Sequence, residues 1–442
     1  MAQYLEQLRH GCSLGAMQSV LAINRTVPII HAGQGCATKL AGSIGSSNGF
    51  HGAGYLGGTQ VPCTNLGETE VVFGGEEKLK ENIENSLKII DADLFIVLTG
   101  CVPEIVGDDA QRVVKEFQSE NKPVVYAETG GFNGTNYIGH EIVVDALIDQ
   151  YMQPAEVKKT GLVNIWSVVP FQDAFWVGNL KEIEKLVIEI GLTPNIIFGY
   201  GDNRGLEAIK RVPEAQFNLL VSPWVGLKNV QHLEERFGTP YLHYSTLPIG
   251  PTETGNFLRT LGDFAGITPQ KVEDVINKHE KEYYSFIESA LEVLYQTRIV
   301  PNRFITVADS FYSLGITRFL INDLGLMPET QFITDGVTPE YQEALTEEFS
   351  KFNDGIKAEV LFSNDGGWVQ EVISKMNLTG RVLLVGSAWE KVFSKKINGF
   401  HLSISMPVAD RLILNSSYVG YDGALRLLED IYTEIISNSQ NP

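Results

Sequence analysis

The chain alternates between short apolar runs rich in β-branched residues and longer stretches whose apolar residues recur at helical spacing. Early runs of the first kind are TVPIIHAG (26–33), DLFIVLTGC (93–101) and PVVYAETGG (123–131). Between the last two, Val113, Val114 and Phe117 predict a helix that runs from Asp109 to about Gln118. A strand, a loop, a helix and a second strand in this order are typical of a parallel crossover.

The same alternation continues to the end of the chain. A second set of strands and helices begins near Gly161, and a third begins with RFITVAD (303–309). Between them, residues 251–297 have a long helical pattern, for which Thr252 is the expected capped start. The tail DGALRLLEDIYTEII (422–436) predicts one amphipathic helix. The sequence therefore predicts an α/β fold of three Rossmann-like domains with parallel sheets, at residues 1–155, 156–300 and 301–442.

Composition and charge exclude several classes of protein. The 442 residues are 43% hydrophobic and 20% charged, which is ordinary for a globular protein. The formal net charge of -20 argues against a nucleic-acid partner, because phosphate binding needs clustered Lys and Arg. No apolar run has the length of a membrane span, and the start MAQYLEQLRHGC lacks a signal-peptide pattern. We therefore expect a cytoplasmic protein without a membrane partner.

The four cysteines all lie in the first 101 positions, at Cys12, Cys36, Cys63 and Cys101. Their wide spacing excludes a zinc ribbon and a CxxC redox pair. They are either buried inert thiols or ligands that separate loops bring together. Cys36 and Cys101 closely follow predicted strands, and ligands collect at the carboxyl ends of parallel strands. Thiolates from separate loops suit an iron–sulfur cluster, and neighbouring glycines allow backbone amides to approach the sulfur atoms.

Six strings in a fixed order carry a resemblance to a known family. They are CSLGA (12–16), HAGQGCA (31–37), ETEVVFGGEEKL (68–79), TGCVPEIVGDD (99–109), LPIGPTETGNFL (247–258) and GYDGALRLL (420–428). Together they resemble the nitrogenase component 1 family over almost the whole chain. The VFGGEEKL and GYDGAL strings, with the PIG-xx-T-xx-FL pattern, are similar to its β-type subunit.

The resemblance implies the nitrogenase component 1 fold and an iron–sulfur cluster at the interface with an α-type partner, in an α2β2 assembly. Carried over position by position, the ligands are Cys12, Cys36 and Cys101, and Cys63 is a non-ligand. The cluster is the eight-iron, seven-sulfur P-cluster, or in relatives a four-iron, four-sulfur cluster. An ATP-dependent iron protein would deliver electrons to it. No cysteine follows Cys101, so the metallocluster that receives the electrons is expected in the α-type partner.

Two departures indicate a divergent branch of that family. Gly131 stands where the β-type pattern commonly has a serine, and MPVADRLILN (406–415) replaces a histidine-rich stretch. The resemblance thus implies an oxidoreductase subunit acting on dinitrogen or another small molecule, such as a methylthio-alkane. A scaffold subunit for maturation of a nitrogenase cofactor is the alternative. A structural or binding protein with inert thiols is a third interpretation.

Polar residues beside the cysteines have simpler roles. Glu104, Asp108 and Asp109 form an acidic cluster after Cys101, and we expect them to orient loop amides or to cap the helix that follows, with metal or proton chemistry as the alternative. His31, at the end of the first strand, is expected to be a hydrogen-bonded histidine, and the alternative is a donor to the cluster.

Overall fold

Three parallel β-sheets organise the chain. The computed structural model describes residues 5–52, 54–55, 61–167, 169–199, 204–297 and 301–439. The sheets have the strand orders β1-β2-β3, β5-β4-β6-β7 and β11-β10-β8-β12-β13, with β9 paired to β8 in the third. The strands are β1 Thr26–His31, β2 Leu94–Thr99, β3 Val124–Ala127, β4 Lys159–Trp166, β5 Thr193–Asn195, β6 Ala215–Val221, β7 Tyr241–Tyr244, β8 Arg303–Ala308, β9 Met327–Pro328, β10 Gln331–Ile333, β11 Val360–Phe362, β12 Val382–Gly386 and β13 Phe400–Ser403.

Helices connect the strands and cover the sheets. The α-helices are α1 Met17–Leu21, α2 Cys36–Ser46, α3 Glu68–Phe73, α4 Glu76–Ile89, α5 Cys101–Val106, α6 Ala110–Ser119, α7 Asn136–Gln150, α8 Trp176–Glu189, α9 Leu206–Arg211, α10 Leu227–Phe237, α11 Gly250–Ala265, α12 Pro269–Thr297, α13 Ser310–Asn322, α14 Pro339–Glu348, α15 Gly366–Lys375, α16 Glu390–Lys396 and α17 Gly420–Ser439. Short 3-10 helices lie at Ser13–Ala16, Val212–Glu214 and Asn353–Gly355. No helix in the described part of the chain is long and apolar enough to cross a membrane.

The predicted α/β class with parallel sheets is confirmed, since every strand pair in the described residues is parallel. The crossover from β2 to β3 is also confirmed, but it contains two helices, α5 and α6, where the sequence predicts one. Gly107, in the left-handed region at φ 88°, separates them. The three domain ranges stay a prediction.

The expected capping role of Thr252 is wrong. Helix α11 begins two residues earlier, at Gly250, and no side chain caps its start. The hydroxyl and the amide of Thr252 both donate to Asp323 Oδ1, at 2.7 and 3.2 Å. Asp323 therefore supplies the acceptor for the first turn from a distant part of the chain, which local sequence does not reveal.

One continuous hydrophobic core joins the three sheets. It includes Ile30 and Ile96 of the first sheet, Val163 of the second, and Ile333 and Leu383 of the third. Smaller clusters cover the other faces of the first and third sheets. The position of each sheet is therefore fixed by packing against the others, and the edge where β1, β2 and β3 end is held rigidly.

Helix α7 packs on the 3-10 helix Ser13–Ala16 through a glycine. A Cβ at Gly139 would lie 2.0 Å from the carbonyl oxygen of Ser13, which is backbone and cannot move aside. We expect Gly139→Ala to lower the free energy of unfolding by about 3 kcal/mol, seen as a lower midpoint in chemical denaturation. Gly42→Ala in α2 is the matched control, because nothing lies within 4 Å of a Cβ there. Equal midpoints for the two variants would contradict this packing.

Glu141 of α7 is buried, and its Oε1 accepts the amide of Gly226 at 2.7 Å, so it ties the first sheet's helix to the start of α10. Burial raises the pKa of Glu141 to about 7. The folded chain therefore holds a proton that the unfolded chain releases near its ordinary pKa. The stabilisation that the Glu141 carboxyl contributes is fully present below the ordinary pKa of a glutamate. It is lost as the pH rises through about 7.

Glu141→Gln keeps the acceptor and removes the charge. We expect it to match the original protein at pH 4.5 and to be more stable by about 2–3 kcal/mol at pH 8, measured by denaturant titration at both values. Glu340→Gln is the control, because Lys228 lowers the pKa of that exposed carboxyl. A gain for Glu141→Gln that is the same at both pH values would contradict the pKa shift.

Candidate functional site

Two of the three predicted ligands begin helices at the carboxyl edge of the first sheet. Cys36 is the first residue of α2, after β1, and Cys101 is the first residue of α5, after β2. The strands pair in register from Thr26 with Leu94 to His31 with Thr99, so both segments leave the sheet on the same side. Helix N-termini place free amide N–H groups near both thiols, which favours negative charge on sulfur.

Backbone hydrogen bonds bring Cys12 to the same edge. Cys12 forms an antiparallel bridge with Thr135, just before α7. The amide of Gly11 donates to Asn136 Oδ1 at 2.9 Å, and the amide of Ser13 donates to the Gly134 carbonyl at 2.9 Å. The loop after β3 therefore positions a residue that lies more than one hundred positions earlier in the sequence.

Gly131 lies between Cys12 and Cys101. A Cβ at Gly131 would be 2.8 Å from Cys101 Sγ, 3.4 Å from Cys12 Cβ and 3.7 Å from Cys12 Sγ. Its amide donates to Cys101 Sγ at 3.1 Å. A side chain here would displace Cys101 Sγ but would make only ordinary contacts with Cys12, so the glycine that marks a departure from the β-type pattern leaves room for the Cys101 thiol.

Cys36 completes the group. Burial raises the pKa of the Cys36 thiol, and the nearby Cys12 and Cys101 thiols raise it further. The structure therefore places Cys12, Cys36 and Cys101 in one electrostatic neighbourhood. Cys12 and Cys101 are exposed, whereas Cys36 is partly buried.

Cys63 lies beside this group in a different setting. Its segment runs parallel to β1, with Cys63 opposite Ile30, and its side chain packs against the main core. Burial raises the pKa of the Cys63 thiol, which also accepts a hydrogen bond from the Asn65 amide. Cys36 adds to that rise, so the two thiols are neighbours.

Glu104 does not cap a helix but orients a loop amide, which is one of the two roles expected for it. Its Oε1 accepts from the Thr99 hydroxyl at 2.5 Å and from the Gly130 amide at 2.7 Å. Burial raises the pKa of Glu104. A Cβ at Gly130 would lie 2.0 Å from Glu104 Oε2. Glu104 therefore holds the loop that carries Gly131.

Asp109 caps the helix that follows, Asp108 orients a loop amide, and His31 is hydrogen-bonded, each a role that the sequence predicts. Asp109 caps α6, because its Oδ1 accepts the amide of Arg112 at 2.9 Å. His31 is fully buried, with Nδ1 3.2 Å from Thr64 Oγ1 and Nε2 3.1 Å from Asp108 Oδ2. Both ring nitrogens thus have partners, as expected for a hydrogen-bonded histidine. Asp108 also accepts the Gly75 amide at 2.9 Å, so it holds the start of α4.

The residues present are donors of a kind that an iron–sulfur cluster uses. Cys12 and Cys101 both adjoin Gly131, whose amide is directed at Cys101 Sγ, and Cys36 lies near both thiols. Within the described ranges, no three His, Cys, Asp or Glu side chains are placed to hold one metal ion. The exposed sides of Cys12 and Cys101 leave the group open on one face.

A strongly exposed apolar patch lies next to this face. Helix α3 contacts α5, and together they expose Val71, Val72, Phe73 and Ile105. Phe73 is 83% exposed and Ile105 is 75% exposed, which is unusual for large apolar side chains in a group. We call these four residues the α3–α5 patch.

Known proteins resemble the chain along its whole length. The family described as Nitrogenase component 1 type Oxidoreductase matches residues 12–436. The nitrogenase molybdenum-iron protein beta chain of Methanococcus maripaludis is 24% identical over 96% of this chain and 92% of its own length. One subunit of the light-independent protochlorophyllide reductase of Angiopteris evecta is 21% identical over 85% of this chain and 73% of its own length.

A solved structure of Nitrogenase Cp1 at pH 6.5 covers 99% of this chain and 95% of its own length, with a TM-score of 0.81 and 19% identity. This likeness confirms the predicted fold. The match over residues 12–436 confirms the resemblance carried by the sequence motifs. The chain therefore belongs to the nitrogenase component 1 type oxidoreductases, as a divergent β-type subunit.

Proposed function

We propose that the chain is the β-type subunit of a nitrogenase-like reductase, in which Cys12, Cys36 and Cys101 hold half of an interfacial iron–sulfur cluster. The observation that supports this most directly is that the exposed Cys12 and Cys101 both adjoin Gly131, with the partly buried Cys36 near both. Inert structural thiols would be expected deep in the core, whereas Cys12 and Cys101 are exposed.

An α-type partner would cover that face and supply the remaining ligands, in an α2β2 assembly. The similar nitrogenase and protochlorophyllide reductase chains are themselves parts of larger proteins. Thiols that are exposed in one chain become enclosed when a partner covers them. Enclosure lowers the local dielectric and tunes the reduction potential of a cluster.

When bound, the cluster would supply one-electron transfer. This chain's residues would do three things around it. The Gly131 amide donates to Cys101 Sγ and stabilises negative charge on that sulfur. Glu104 holds the loop that carries this amide. The half-buried setting of Cys36 keeps water from one side of the group.

The α3–α5 patch would be the docking surface for the ATP-dependent iron protein that delivers electrons. It lies directly beside Cys101, since Ile105 and Cys101 belong to the same helix. Electron delivery requires close approach of the donor to the cluster, and an exposed apolar patch with a charged rim is typical of a docking site. Glu68, Glu70 and Glu76 supply that rim.

The electrons would pass on to a metallocluster in the α-type partner. The substrate would be dinitrogen or another small molecule such as a methylthio-alkane. The cluster would be the eight-iron P-cluster, with the four-iron form as its alternative. A scaffold for cofactor maturation is the second candidate function, and the three gathered thiols favour the reductase because scaffolds are expected to keep fewer interface ligands.

The first prediction from the proposed function concerns the iron content of the complex. We expect the anaerobically purified complex to contain about eight irons per interface, and Cys12→Ala, Cys36→Ala and Cys101→Ala each to lose most of them. The measurements are iron and sulfide content and the electron paramagnetic resonance spectrum. Cys63→Ala is the matched control and should keep the iron. About four irons per interface would favour the scaffold or a tetrapyrrole-type reductase, and an iron-free complex would contradict the proposal.

The second prediction concerns docking. Phe73→Asp should leave iron content and the spectrum unchanged but weaken docking by about 2 kcal/mol, as for a central interface residue. The iron-protein concentration that gives half-maximal electron transfer should then rise roughly thirtyfold. Ile89→Asp, at the end of α4, is the control, since Ile89 is 80% exposed outside the patch. Equal behaviour of the two variants would exclude the α3–α5 patch as the docking surface.

A further inference from the structure

The loops after β8 and β12 flank a switch point at the carboxyl edge of the third sheet, where open parallel sheets form a crevice that binds ligands. Chain connections run from β8 through β10 to β11 on one side, and then to β12 and β13 on the other. The strand order therefore reverses between β8 and β12, and such a switch point separates the loops that follow the two strands. Asp309 follows β8, and Ser387 follows β12.

The chain's own Arg9 fills the β12 side of this crevice. Its guanidinium donates to both carboxylate oxygens of Glu390, at 2.5 and 3.2 Å, and to the hydroxyl of Ser387. The side chains of Arg9 and Glu390 are only 3% and 1% exposed. The Ser387 amide and hydroxyl donate to Glu390 Oε2 at 2.9 and 2.8 Å, and the Trp389 ring lies 4.6 Å from the Arg9 guanidinium carbon.

Further contacts tie the residues before Arg9 to the third sheet. The Gly366 amide, at the start of α15, donates to the Glu6 carbonyl at 2.7 Å, and the Glu6 amide lies 3.3 Å from Asp365 Oδ1. The Gln370 side chain donates to Gln7 Oε1 at 3.0 Å. Residues 6–12, which we call the N-terminal strap, are thus bound to the third sheet at one end.

At its other end the N-terminal strap carries Cys12. Two residues, His10 and Gly11, lie between Arg9 and Cys12, and a fully extended chain covers at most about 11 Å over these three Cα–Cα steps. At Cys12 itself, the local contacts are the bridge to Thr135 and the bonds of Gly11 and Ser13. The short distance means that the anchor at Arg9 restricts where Cys12 can lie.

We propose that Arg9 is a positioning residue, which occupies the crevice of the third sheet as an intramolecular ligand and so holds Cys12 among the cluster thiols. This inference rests on the proposed ligand role of Cys12. The planar fork of the Arg9 guanidinium matches a carboxylate. Glu390 has no other cationic partner among the described residues' ion pairs, so release of the N-terminal strap would leave a buried carboxylate unpaired. The bound state is therefore strongly favoured.

The test is hydrogen–deuterium exchange on the full-length complex, purified anaerobically. Arg9→Met removes the guanidinium and keeps most of the stem volume. Arg9→Met/Glu390→Met also removes the buried carboxylate, so it retains a foldable core if the single variant fails to fold. In the double variant we expect the amides of residues 6–13 to exchange at least about tenfold faster, while those of β8 and β12 keep their rates.

Iron content of the same samples tests the positioning step. We expect the double variant to lose most of its iron, as Cys12→Ala does. Arg25→Met is the control, because Arg25 forms exposed ion pairs with Asp91 and Asp93 and should affect neither measurement. Unchanged exchange in residues 6–13 would overturn the anchoring role. Faster exchange with full iron content would overturn the positioning role. Iron retained in Cys12→Ala would contradict the proposed function itself, independently of the exchange result.

Discussion

The site depends on the absence of a side chain at Gly131. A single added carbon there would lie 2.8 Å from Cys101 Sγ, closer than side chains normally approach, so the glycine leaves the space that this thiol occupies. The same residue contributes an amide to Cys101 Sγ. One position thus supplies both the space and a hydrogen bond, and the loop after β3 must be held within a few tenths of an ångström to do so.

Several weak constraints hold that loop. The Thr129 hydroxyl donates to the Thr99 carbonyl and the Thr129 amide to the Thr99 hydroxyl, so the ends of β2 and β3 are joined across the sheet. Glu104 accepts from Thr99 and Gly130, and the Ser13 hydroxyl donates to the carbonyls of Thr129 and Gly130. Each bond contributes about 1 kcal/mol, but together they connect the segments that carry Cys12 and Cys101.

The sequence predicts the periodic parts of this arrangement and misses the contacts between distant segments. Apolar runs fix β1, β2 and β3, and parallel strands bring Cys36 and Cys101 to one edge without further information. Asp109 follows a local capping rule, so it too is predictable. The contacts of Glu104 and Thr252 are not predictable from the sequence, because their partners lie in distant segments of the chain. A carboxylate or hydroxyl near a helix start could equally well cap that helix.

The position of Cys12 is also set by contacts that the local sequence does not reveal. Neither strand nor helix pattern in its neighbourhood indicates where it lies, and motif resemblance alone placed it among the ligands. In the structure its position depends on Thr135 of the first sheet's last loop and, through the N-terminal strap, on Glu390 of the third sheet. Such long-range pairings are fixed by the tertiary fold, and single-residue propensities carry no information about them.

The exposure of Cys12 and Cys101 leaves one side of the site open to solvent. The loops after β1, β2 and β3 position the thiols together with the N-terminal strap, and Cys12 and Cys101 remain exposed. A cluster in such a setting would be reached by water and oxidants, since exposure raises the reactivity of thiolates. The chain therefore encloses the thiols on one side only, and the proposed function requires a second protein to cover the other side.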